Sequence, residues 1–300
     1  MDVRVLRYFL AVAREGNMTR AAERLHVTQP TLSRQLKSLE ETVGKKLFVR
    51  SNYAIKLTDE GLLLKKRAED IVEMVDKTLD EFRALEDISG GDIYVGSAES
   101  ESIKYFARAA KKLNDKHPHV CFHLYSGNTE TVTERLDKGL LDFAIIAQEV
   151  DSIKYNSIKL PSKDTWGLIM RKDNPLTVKE TISQEDLLHI PLIVSRQGIT
   201  EDYPKWFGDH IDDLNIVATF DLIYNASFMV KEGLGYALSF DKIVNTGNES
   251  DLCFRPLEPA LETSMYVIWK KHQIFSPIVK ILLQEIEEII KNSAIASDNF

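Results

Sequence analysis

Between Thr19 and Leu57 the chain leaves little choice of fold. A short helical run (Arg20–Leu25) and a longer one are separated by a turn near His26–Val27. Thr28 suits the cap of the longer helix, and Pro30 falls in its first turn, where a missing N–H costs little. Leu32, Leu36, Leu39 and Val43 follow at steps of 4, 3 and 4 and form one apolar stripe. Pro30, Ser33, Arg34 and Lys37 rotate roughly 150° away from it. With Gln29 and Thr31, that face suits a DNA major groove: Arg forks onto guanine, Gln onto adenine, and Ser meets either base or phosphate. An amphipathic helix pair with a solvated polar face is the plainer alternative.

The order of residues decides between them. Ala21-Ala22-x-x-Leu25-x-Val27-x-Gln29-Pro30-x-Leu32-Ser33-Arg34-Gln35-x-x-x-Leu39-Glu40 resembles the DNA-binding signature of the LysR-type transcriptional regulators. Gly44-x-x-Leu47-Phe48-x-Arg50 and Leu57-Thr58-x-x-Gly61 extend the match at that family's spacing. The resemblance implies a winged helix–turn–helix on double-stranded DNA. Gln29, Pro30, Ser33 and Arg34 are expected at base edges, and Thr31 and Lys37 at phosphates. Thr19 is expected to cap the short helix and to hold a phosphate oxygen, and Arg50 to reach out from the wing. The wing runs from Leu47–Val49 through a turn to Ile55–Leu57. Its tip, Ser51-Asn52-Tyr53-Ala54, lacks the extra basic residues of many relatives, which predicts a shallower salt dependence.

Charge is divided along the chain in the same sense. Residues 1–58 hold 11 Lys/Arg against 5 Asp/Glu, and the rest hold 27 against 41. A net +6 head on a −14 body confines contact with a polyanion to one end. Val5, Leu6, Phe9, Leu10 and Ala13 are the expected buried stripe of a first helix, Val3–Arg14. From Asp59 a third long helix carries Leu64, Ala68, Ile71, Val75, Thr78, Phe82 and Leu85 at steps of 4 and 3. That is a coiled-coil seam of about three heptads, the expected dimer contact, unless it lies along its own domain.

Ser89-Gly90-Gly91-Asp92 breaks the pattern and marks the expected boundary. The organisation read from this is a DNA-binding domain at 1–58, a linker helix at 59–89 and an effector domain at 90–300. Alternating strands (Ile93–Gly96, Val120–Tyr125, Phe143–Ala147) and helices give the βαβ rhythm of a parallel α/β sheet. Gly139-Leu140-Leu141-Asp142-Phe143-Ala144-Ile145 again matches the family, whose effector domain resembles a two-lobed periplasmic binding protein. By that resemblance residues 92–161 and 266–300 make one lobe and 162–265 the other, with strands at Trp166–Arg171, Leu192–Ser195 and Ile216–Phe220.

A small-molecule effector is then expected at the carboxyl ends of strands, beside helix N-termini. The residues are Ser100, Glu101 and Ser102, Gly127 and Thr129, Ser195, Arg196 and Thr200, and Asn225. Glu99 and Glu101 flank Ser100 where an anion would otherwise be drawn. Either they cap the helix and point outward, or the effector is cationic, zwitterionic or neutral, with Arg171 and Arg196 left to receive a carboxylate.

No segment approaches 18 uninterrupted apolar residues and Met1-Asp2-Val3-Arg4 has no signal-peptide shape, so a cytoplasmic protein without membrane contact is expected. Cys121 and Cys253 read as free thiols. His119, Cys121 and His123 share a strand face, but with no fourth ligand evident, packing is preferred over a metal. Tyr203 and Trp206 read as packing residues. No nucleophile elbow, phosphate-cradling loop or metal spacing points to an enzyme or a cofactor, and Gly233-x-Gly235 follows a helix rather than a strand. A homodimer or homotetramer controlled by a small molecule is the expectation. The rivals are control by a protein partner or by redox, and a solute-capture protein whose head does not bind DNA.

Overall fold

Asp2 caps helix α1 (Val3–Glu15) by accepting the Arg4 amide, and Gly16, in the left-handed region at φ 59°, ends it. The computed structural model describes residues 1–50, 55–84, 90–148 and 151–297. It divides the chain into two units, Met1–Phe82 and Arg83–Phe300.

Helix α2 (Met18–Arg24) is capped by Asn17, not by Thr19: the Asn17 carboxamide accepts the amides of Thr19 and Arg20 at 2.9 and 3.0 Å. An extended residue ahead of the helix reaches both orphan donors, and Thr19 is already inside the first turn. His26, at φ 54°, turns the chain into α3 (Gln29–Val43), where the Thr28 hydroxyl accepts the Thr31 amide as expected. Leu32, Leu36 and Leu39 are buried, but Val43 is 39% exposed, because the stripe runs past the core just before Gly44 ends the helix. From α1 the core takes Val5, Leu6, Phe9 and Val12; Leu10 and Ala13 are half-buried, at its margin.

Strands β1 (Phe48–Arg50) and β2 (Ile55–Leu57) pair antiparallel, with Phe48 opposite Leu57. The wing tip and the Arg50 side chain lie outside the described residues. Helix α4 (Asp59–Ala84) starts at Thr58, whose hydroxyl accepts the Gly61 amide and donates to the Lys46 carbonyl. A Cβ on Gly61 would stand 2.2 Å from the Leu47 carbonyl oxygen, so only glycine lets α4 cross the wing here. The expected seam of α4 splits in two. Leu64 and Ala68 pack into the core of their own unit, while Ile71 and Phe82 are exposed, with Leu79 beside them. Leu85 lies outside the described residues.

The second unit begins with β3 (Gly90–Ser97), α5 (Ile103–Lys116), β4 (His119–Ser126), α6 (Thr129–Asp137) and β5 (Phe143–Ala147). Strand β3 pairs parallel to both β4 and β5. There follow β6 (Tyr155–Arg171), β7 (Leu192–Ser195), α7 (Arg196–Thr200), α8 (Tyr203–Phe207), β8 (Ile216–Phe220) and α9 (Ile223–Lys231). Strands β9 (Tyr236–Phe240), β10 (Leu252–Pro256) and β11 (Glu262–Lys270) precede helix α10 (Pro277–Ser297). Among the described residues the strand order is β4-β3-β5-β11-β6-β9-β7-β8, with β10 also on β6.

Separate sets of hydrophobic clusters make two lobes. Ile93, Phe106, Phe143 and Leu282 belong to the first, and Leu168, Leu192, Tyr203 and Leu238 to the second. Strand β6 serves both: Tyr155–Thr165 pairs with β11, and Trp166–Ile169 with β9. From the sequence, this strand is expected only from Trp166. Pro161, at the register shift between Lys159 and Lys163, hid the continuity, since a proline inside a run argues against a strand except at such an irregularity.

Candidate nucleic-acid interface and interlobe cleft

Burying Leu32, Leu36 and Leu39 fixes which side of α3 faces out. Gln29, Pro30, Arg34 and Lys37 are exposed, and Thr31 and Ser33 are half-buried along the same face. The Thr31 hydroxyl lies 2.9 Å from that of Thr28, and Lys37 stands 3.7 Å from Glu41 one turn on. Thr19 is exposed at the start of α2.

Glu40, matched above only as part of the family signature, ties α3 to the wing. Its carboxylate accepts the amides of Leu47 and Phe48 at 2.9 and 3.4 Å and the Lys46 ammonium at 2.8 Å. Burial works to raise its pKa, but Lys46 and the two amides outweigh it and hold the group below the ordinary glutamate value. The Glu in Leu39-Glu40 was the available signal.

In the second unit the strand ends converge on a cleft between the lobes. It encloses about 50 Å³, room for a few water molecules. Five wall residues follow the carboxyl ends of strands: Ala98 after β3, Gly127 and Asn128 after β4, Gln197 after β7 and Asp221 after β8. Parallel strands point their helix N-termini into such a crevice, and here those of α9 and α6 are met by the opposite lobe. The Ile223 amide, first in α9, donates to Glu99 Oε2 at 2.8 Å; the Thr129 amide, first in α6, donates to Gln197 Oε1 at 3.0 Å. Asn128 Nδ2 donates to Asp221 at 3.3 Å, and Lys242 Nζ to Glu101 at 3.0 Å.

Of the expected effector residues, Gly127 and Ser195 line the cleft. Thr129, Arg196 and Thr200 line an outer groove at its mouth. Ser100 and Ser102 are not in the cleft wall: Ser100 donates to Asp164, and the Ser102 hydroxyl lies 2.9 Å from that of Ser162, both partners on β6. They fasten the start of α5 to the strand that crosses between lobes. Glu101 sits outside the cleft, with its pKa lowered first by the Lys242 hydrogen bond and then by Lys104. Asn225 is exposed and away from the wall. Neither arginine proposed for a ligand carboxylate is open: Arg171 pairs with Asp173 and the Lys231 carbonyl, Arg196 with Asp221 at 3.2 Å.

Trp166, Asp202, Phe220, Asp221 and Phe240 also line the wall, and no motif in their own stretches marks them in the sequence. Asp202 is 7% exposed and accepts the Thr263 hydroxyl at 3.1 Å. Burial raises the pKa of both Asp202 and Glu99 above the ordinary carboxylate range. Tyr203 and Trp206 are buried in the second lobe's core, as packing residues.

Elsewhere, Asp92 on β3 joins Cys121 and His123 on β4, with donor atoms all within 4.8 Å. His123 is stacked on Tyr94 and its Nε2 lies 2.7 Å from Asp92, so an ordinary hydrogen bond accounts for the grouping. Cys121 is exposed; Cys253 is buried, and burial raises its thiol pKa. Both are free.

Among the described residues no helix is long and apolar enough to cross a membrane. The chain is 27% identical over 280 residues to the Hca operon transcriptional activator HcaR of Escherichia coli, covering 91% of this chain and 93% of that one. With the HTH-type transcriptional regulator BsdA of Bacillus subtilis it shares 31% over 199 residues, covering 65% and 67%. In fold it resembles full-length CbnR complexed with target DNA, at TM-score 0.72 and 20% identity over 96% of this chain and all of that one. Residues 3–62 match the family model for a bacterial regulatory helix-turn-helix protein of the lysR family, and residues 89–290 that for a LysR substrate binding domain. With both halves accounted for, this chain belongs to the LysR family of DNA-binding transcriptional regulators, which are not enzymes.

Proposed function

We propose that α3 reads duplex sequence, with Gln29, Pro30, Ser33 and Arg34 at base edges and Thr19, Thr31 and Lys37 at phosphates, aided by Arg50 from the wing. The supporting observation is the division of α3 into a buried leucine row and an exposed polar row. Residues 1–58 form the reading head, 59–89 the linker and 90–300 the effector domain, in a protein of the cytoplasm. Two heads joined through α4 as a homodimer, or paired again as a homotetramer, meet successive major grooves of an interrupted palindrome. Exposed Ile71, Leu79 and Phe82 support that pairing. A small molecule bound between the lobes changes the subunit arrangement and the bend of the DNA. Coupling of this kind is of order 1–3 kcal/mol.

The experiment is selection of bound fragments from the host genome, followed by competition with random duplex. Enrichment of a dyad-symmetric sequence supports the reading; binding indifferent to sequence, with and without cell extract, overturns it. A regulator controlled by a protein partner is the second reading, favoured by a small cleft whose polar groups satisfy one another. It predicts that an extract's effect on DNA binding disappears on protease treatment and survives dialysis.

A further inference from the structure

We propose that the cleft between the lobes takes a small organic cation, an alkyl- or arylammonium, in place of a carboxylate. This rests on the reading of the cleft as the effector site and names the class of ligand.

Three independent features of the cleft support it. First, the positions where a ligand carboxylate would gain most are filled from within. The amide opening α9 is taken by Glu99 and that opening α6 by Gln197, each from the facing lobe. A ligand carboxylate would have to displace a tethered carboxylate at α9 and a tethered carboxamide at α6. Second, the wall carries the carboxylates of Glu99, Asp202 and Asp221, and no lysine, arginine or histidine among the described residues lines it. The cations nearby are engaged, Arg196 with Asp221 and Lys242 with Glu101. Burial disfavours the charged forms of Glu99 and Asp202, so a cation entering the cleft relieves a cost that an anion would deepen.

Third, the apolar part of the wall includes three aromatic side chains, Trp166, Phe220 and Phe240, beside Ile223 and Ile243. Trp166 and Phe240 have ring centroids 4.3 Å apart in a tilted pair. Aromatic faces attract ammonium groups and gain strength as water is excluded. Glu99 comes from the first lobe and Asp202 from the second, so one ammonium between them draws the lobes together.

The test is thermal unfolding and calorimetric titration of the full chain with size-matched probes. These are n-butylamine against butyrate, benzylamine against benzoate, and butanamide as the neutral control. Saturable stabilisation by the amines alone is expected. Glu99→Gln and Asp202→Asn keep shape and hydrogen bonding, and each should weaken the amine by about tenfold with the fold intact by circular dichroism. Stabilisation by the carboxylates and not the amines overturns the ligand class and leaves the effector site standing. An amine response unchanged in both variants overturns the location. If no probe, and no member of a wider metabolite panel, shifts unfolding, the effector reading falls as well.

Discussion

Glu99 accepts the amide of Ile223 at 2.8 Å across the interlobe cleft, so a carboxylate of one lobe closes the helix N-terminus of the other. Burial raises the pKa of Glu99, so the folded state binds its proton more tightly than the unfolded chain does. The group therefore favours folding below the ordinary carboxylate pKa. It loses that advantage as pH rises through its folded value, and at neutral pH it is a net cost. Glu99→Gln keeps an acceptor for Ile223 without the charge. It should raise the neutral-pH unfolding midpoint by roughly 1–2 °C and flatten the pH profile between the two pKa values. A midpoint that falls in the variant at neutral pH contradicts this.

Glu40 behaves in the opposite sense. Its folded pKa is depressed, so its contribution is present above the unfolded value and lost as pH falls through the folded one. Glu40→Ala leaves the amides of Leu47 and Phe48 without their acceptor and should cost about 1–3 kcal/mol. The loss should shrink toward acid pH, as followed by urea unfolding of the chain at several pH values.

Gly61→Ala places a methyl against the Leu47 backbone carbonyl, which has no flexible end to yield. Crowding of this kind costs about 1–3 kcal/mol. Weakened DNA binding and a lower first unfolding transition are the expected readouts, with effector-domain unfolding unchanged.

Arg34→Ala should reduce discrimination between operator and random duplex by about 1–3 kcal/mol, measured by fluorescence anisotropy. Lys37→Ala should weaken both nearly equally and lower the slope of log affinity against log salt by about 0.9. Interchanged behaviours would reverse the two roles.

The α4 surface gives the last expectation. Leu79 and Phe82 are 50% and 67% exposed, and Leu79→Glu with Phe82→Glu should shift sedimentation toward a single chain. Leu64 and Ala68, packed inside their own unit, should when altered lower stability first.

What could be read from the residues follows from how far apart the deciding contacts lie. The head was legible because its determinants are local. A 3.6-residue stripe selects the buried side of α3, Thr28 marks where it begins, and Gly44 where it ends. Asn17 displaced Thr19 as a cap by two positions, because backbone geometry, unseen in the sequence, chooses between neighbouring polar residues. The strands at Leu192–Ser195 and Ile216–Phe220 stand where the family resemblance implies them.

The cleft was not legible. Glu99 and Ile223 are 124 positions apart, and only the crossing of β6 and β11 between lobes brings them together. Ser100 and Ser102 look available in sequence, yet the same crossing places Asp164 and Ser162 against them and takes their hydroxyls. Local pattern and charge specify a basic helix–turn–helix head ahead of an acidic α/β body. Which charges face one another inside that body is set by long-range strand pairing, not by local periodicity, because that pairing chooses which loops meet.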